Sequence, residues 1–160
     1  MKPKKMKYQA NRKIELLYSD TYQNYKYYIL NLGTHPTAYV EIPKGHKLYY
    51  KNYNDIDNIL VHGGLTYSDD HLCIAKDNAL QGWFIGWDYA HCYDYEGYYD
   101  EDDFLNENTK KWTTEEIINE CHLVINQIIE YYDKISIDDI ISEINRVQRV
   151  EKEKQNENII

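Results

Sequence analysis

An α+β architecture is what this sequence predicts: a small mixed or antiparallel sheet followed by two C-terminal helices. Two observations carry that expectation. Between residues 13 and 94, segments rich in Tyr, Ile, Val and Trp alternate with Gly, Pro and Asn turn signals. Beyond residue 112 the apolar residues switch to steps of three and four, starting at a helix-capping pattern. Strands first and helices last is the α+β order. A chain of 160 residues with 42% apolar residues suits one domain with one core.

The elements follow in order. Residues 1–12 read as a polar, loose lead-in, and the charged tail 151–160 as a loose end. Residues 13–18 form a first short strand. Residues 25–32, Tyr-Lys-Tyr-Tyr-Ile-Leu-Asn-Leu, form a stronger one. Gly33-Thr34-His35-Pro36 is a turn signal, and residues 37–42 return as the hairpin partner. Pro43-Lys44-Gly45-His46 ends that strand. Residues 47–58 read as a polar loop with three tyrosines. Ile59-Leu60-Val61-His62 is a short apolar run, and residues 65–68 resume an extended course. Residues 69–81 read as a loop or a short helical piece.

Gly82 to Tyr89 is the clearest strand. Its alternation puts Trp83, Ile85 and Trp87 on one face and Phe84, Gly86 and Asp88 on the other. An acidic, tyrosine-rich loop covers 93–103. Thr113-Thr114-Glu115-Glu116 is a capping box opening a helix that carries Ile117, Cys121, Val124, Ile125 and Ile128 at helical spacing. Ser136 repeats the cap logic for a final helix with Ile137, Ile140, Ile141, Ile144 and Val147.

The net charge of −9 argues against DNA or RNA as a partner, because a nucleic-acid surface must displace counterions with cations. It also argues against an anionic membrane surface. One small anionic ligand stays compatible, since a local pocket can oppose the global sign. Eighteen tyrosines against two phenylalanines supply flat rings with polar tips, suited to half-buried sheets and binding surfaces. An AT-rich coding bias would produce the same excess. Cys73, Cys92 and Cys121 have no CxxC spacing and read as reduced, structural thiols of a cytoplasmic protein.

Two segments carry the chemistry. One is Val61-His62-Gly63-Gly64-Leu65-Thr66-Tyr67-Ser68; the other runs from Gly82 through Asp88 and His91 to Asp94. Adjacent glycines permit unusual backbone angles and close ligand approach, and their amides can cradle an anion. A plain hairpin turn uses the same pair. His62, Asp88, His91 and Asp94 could meet in space. A histidine pair can serve as general acid and base on a phosphodiester. The same four groups are the candidates should a divalent metal bind, although no metal or other cofactor is expected. Simple hydrogen bonding among them is the third reading, and the spacing does not choose.

Trp83 or Trp87, with Tyr39, Tyr49 or Tyr67, could stack on a base. Lys44 and His46 form a basic corner able to reach a phosphate. The expected ligand set is therefore Tyr39, Lys44, His46, His62, Gly63, Gly64, Thr66, Tyr67, Trp83, Trp87, Asp88, His91 and Asp94. No phosphate-binding P-loop, dinucleotide fingerprint or zinc-protease motif is present.

The segments Ala38 to His46, Val61 to Ser68 and Trp83 to His91, with the step from Trp112 to Glu116, resemble a small protein family common in phages and mobile elements. The resemblance covers about residues 36–130. It departs at Cys92-Tyr93-Asp94, where a glycine before the aspartate is more usual. By analogy with other small phage-encoded anti-defence proteins, it implies a role against nucleotide-based immune signalling.

Three functions follow as expectations. The first is a protein that binds and sequesters a nucleotide-derived signal, of the cyclic ADP-ribose or cyclic-dinucleotide class. The second is a phosphodiesterase that cleaves such a signal with His62 and His91. The third is an acidic inhibitor that grips a basic protein through the acidic run 94–103. The amphipathic C-terminal helices point to a homo-oligomer.

Overall fold

The computed structural model describes residues 1–98 and 108–158, except the side chains of 132–137. The side chains of Ser136 and Ile137 and most of the acidic run lie outside the described residues. The chain divides into two compact units, Met1–Gln127 and Ile128–Ile160.

The first unit is built on a five-stranded antiparallel sheet: β1 (Glu15–Tyr22), β2 (Tyr25–Asn31), β3 (Pro36–Glu41), β4 (Tyr67–Ala75) and β5 (Asn78–Asp88). The spatial order is β1-β2-β3-β5-β4. Gln23 and Asn24, with φ of 49° and 69°, make the two-residue turn of the β1–β2 hairpin; both positive angles match the right-handed strand twist. A single 3-10 turn, Tyr53–Asp55, interrupts the long β3–β4 connection. The helix α1 (Thr114–Glu157) closes the chain.

Register sorts the side chains. Ala38 opposes Trp87, and Val40 opposes Ile85 and Tyr27, which places these residues on one face. The start of α1 packs there: Ile117, Cys121, Val124 and Ile125 are fully buried, and His122 stacks on Tyr22 and meets the Tyr27 hydroxyl at 3.2 Å. Leu30, Tyr39, Leu72 and Phe84 form a second core on the other face, flanked by Leu16, Tyr28 and Tyr67. The edge strands β1 and β4 touch, so the sheet curls around that second core.

Three expectations are corrected. Residues 69–81 are not a loop or helical piece but the β4–β5 hairpin. β4 is an edge strand with polar Asp69, Asp70 and His71 at its middle and two register shifts, so its alternation is broken in the sequence. The N-terminal segment is not loose. Lys4 N–H donates to Leu17 O, Thr114 Oγ1 donates to Lys4 O, and Met6 is buried. The two expected helical stretches both form, and α1 runs through the break expected near residue 135 and on into the charged tail. Among the described residues, no helix is long and apolar enough to cross a membrane.

Candidate functional site

The site grows from two turns. Gly64 N–H donates to Val61 O, closing a turn whose third residue, Gly63, has φ of 67°. Asp94 N–H donates to His91 O, closing a second turn whose third residue, Tyr93, has φ of 72°. Tyr93 takes the left-handed conformation that glycine favours.

The second turn is anchored on Lys110, whose N–H donates to Tyr93 O and whose carbonyl accepts from Tyr95 N–H, and the first on α1. Leu60 N–H donates to Gln127 Oε1, Gln127 Nε2 donates to Leu60 O, and His62 N–H donates to Glu120 Oε1 at 2.7 Å. The apolar run 59–61 therefore forms no strand. The backbone of Leu60 and His62 is held by two α1 side chains seven residues apart, two turns along one face.

These anchors bring the two imidazoles together. The His62 and His91 rings lie 5.6 Å apart, edge to face. His62 stacks flat on Tyr89, at 5.0 Å and 8°, and Trp112 leans on both rings at 4.9 Å. Asp94 is the hub. Its Oδ2 lies 2.7 Å from His62 Nε2 and accepts from His91 N–H, while its Oδ1 accepts from Trp112 Nε1. Its side chain is 3% exposed, against 25% for His62 and 32% for His91. A carboxylate receiving those donors fixes the neutral His62 proton on Nε2 and leaves Nδ1 its lone pair.

His91 is held differently. Its Nε2 is 3.1 Å from Asp88 Oδ1, the distance of an ion pair, yet the angle makes no hydrogen bond. Gly63 covers that nitrogen: a Cβ on Gly63 would lie 2.0 Å from His91 Nε2. Asp88 Oδ2 accepts from Thr66 Oγ1, and Asp88 Oδ1 from Ala90 N–H. Burial raises the Tyr89 phenol well above its ordinary pKa, so Tyr89 stays neutral; its oxygen accepts from Trp87 Nε1.

His62, Gly63, Gly64, Thr66, Asp88, His91 and Asp94 thus sit at one end of β5. The remaining expected ligands do not join them. Trp87 is core, 1% exposed. Trp83 is five residues back along β5, about 16 Å away, and stacks on Tyr50. Tyr39 and Tyr67 pack edge to face on the opposite sheet face, over Gly86. Lys44 and His46 follow the far end of β3, and His46 is buried with its Nδ1 accepting from Leu48 N–H. Nor do the four metal candidates surround one point. Among the described residues, the donor atoms that gather within 4.8 Å of one another are those of Asp69, Asp70 and His71, on β4.

Sequence reasoning passed over Trp112 and Tyr89. Trp112 precedes the helix cap, a position from which an apolar side chain regularly folds back, and that was its signal. Its outer face carries Lys110 Nζ at 3.8 Å. Beside Trp112 opens a cleft of about 580 Å³ between the N-terminal segment, Tyr95 and the start of α1, lined by Lys5, Tyr8 and Lys111 among others. His62 and His91 do not line it; Trp112 is the wall the cleft shares with their cluster. Compared with known proteins, the chain matches no family model, no curated protein and no solved structure.

Proposed function

We propose that the protein binds a small nucleotide-derived signal at the His62–His91 cluster and the adjoining Trp112 cleft, and holds it unmodified. The carrying observation is the meeting of two partly exposed imidazoles with the Tyr89 and Trp112 rings at one end of the sheet. The partly exposed Trp112 and Tyr8 rings of the cleft suit a base, Thr66 a ribose hydroxyl, and Lys5 and Lys111 a phosphate within an otherwise acidic chain. The cleft volume falls within the range of small-molecule sites, about 300–1,000 Å³. In an infected bacterium such a protein would withdraw a cyclic ADP-ribose-type or cyclic-dinucleotide immune signal, the role its resemblance to a phage-borne family implies.

Cleavage is the second reading, favoured by the Asp94 carboxylate hydrogen-bonded to the His62 ring, with Asp88 near but not bonded to the His91 ring. A carboxylate orients its histidine and steadies the protonated ring, the arrangement acid–base catalysis needs. One experiment separates the two. The protein is incubated with a panel of cyclic dinucleotides and cyclic ADP-ribose isomers, filtered, heat-denatured and chromatographed. Intact nucleotide released by heat supports holding. A new product supports cleavage. No retained or altered nucleotide across the panel refutes both.

A further inference from the structure

The second unit presents an apolar stripe to solvent. Every residue from 138 to 157 is exposed, including Ile140 at 59%, Ile141 and Ile144 at 49% each, and Val147 at 42%. Ile140, Ile144 and Val147 follow one another in steps of four and three, the seam spacing of paired helices, and Ile141 and Val150 flank them. A single helix gains little from its own backbone in water; it needs a partner for its apolar face.

Charge names the partner. Residues 138–145 hold Asp138, Asp139 and Glu143 and no cation. Residues 146–157 hold Arg146, Arg149, Lys152 and Lys154 against Glu151, Glu153 and Glu157, with both arginines and no acid before residue 151. A parallel pair of identical copies would set acid against acid and base against base. An antiparallel pair sets each acidic half beside the basic half of the other copy. Within one chain Glu143 pairs with Arg146, an exposed contact beside which Asp138, Asp139 and Arg149 would meet across the pair.

We infer that residues 138–150 pair with the same segment of a second copy, antiparallel, about a two-fold axis near Ile144, with Ile140, Ile144 and Val147 as the seam. Sedimentation equilibrium of the full chain tests this. A dimer is expected whose dissociation constant rises at least about tenfold between 0.1 and 1 M salt, because its flanking charges attract. Ile140→Glu with Ile144→Glu is expected to give a monomer with an unchanged near-ultraviolet circular dichroism spectrum. Arg149→Glu with Lys152→Glu, which leaves the apolar seam intact, is expected to weaken the dimer as well. A monomeric parent protein overturns the inference, as does a dimer that survives the isoleucine changes. A dimer tightened by salt overturns the antiparallel order.

Discussion

Asp94 and Gly63 decide whether the two histidines meet. Asp94 gathers His62, the His91 amide and Trp112 onto one nearly inaccessible carboxylate. Asp94→Ala would leave those donors without their acceptor, at a cost of roughly 2–4 kcal/mol if each buried orphan costs about 1–3 and water recovers part. Urea unfolding measures it, and a loss under 1 kcal/mol would show the hub is not structural. The two glycines are distinguishable. Both have positive φ, but a Cβ on Gly63 meets the His91 ring whereas one on Gly64 meets nothing within 4 Å. Gly63→Ala should therefore abolish ligand retention. Gly64→Ala should keep it and lose only about 1 kcal/mol of stability to backbone strain. Equal effects of the two would remove Gly63 from the site. The sequence showed that a glycine pair sits here, but not which of the two an imidazole leans on, because that depends on a residue 28 positions away.

At the scale of elements, β2, β3 and β5 were readable as runs of strand formers bounded by turn residues, and the start of α1 by its helical period. β5 was clearest because Trp83, Ile85 and Trp87 alternate with Phe84 and Gly86 and every one of them is buried. β4 was hidden by its two register shifts, each of which moves the following side chains to the other face. Gly86 marks where two strands lend tyrosines to one spot. Tyr39 and Tyr67 both oppose it in the ladder, and a Cβ there would lie 2.4 Å from Tyr39 Cδ1 and 2.8 Å from Ala38 O. Gly86→Ala should cost about 1–3 kcal/mol through overpacking of a site with no room to give. Thermal unfolding checks it; an unchanged midpoint would mean the sheet relaxes freely around the tyrosine pair.

Across the whole molecule, seven expected site residues converge and six do not, and the division follows the sheet. Residues at the Asp88 end of β5, or in the turns that α1 pins beside it, reach the cluster. Trp83, Lys44 and His46 lie at the opposite end, Tyr39 and Tyr67 on the far face, and Trp87 in the core. A sequence lists side chains without saying which end of a strand each occupies once it is paired, so proximity in the chain misled for Lys44 and Trp83. Trp112, distant in sequence, was brought in by the helix it precedes. His62 and His91 are proposed to form one ligand site. Calorimetric titration of the retained nucleotide into the parent protein, His62→Ala with His91→Ala, and Lys44→Ala tests it most directly. The double histidine variant should bind at least about tenfold more weakly, about 1.4 kcal/mol, while Lys44→Ala binds as the parent does. Full affinity without the two imidazoles, or loss of affinity on changing Lys44 alone, would contradict the account.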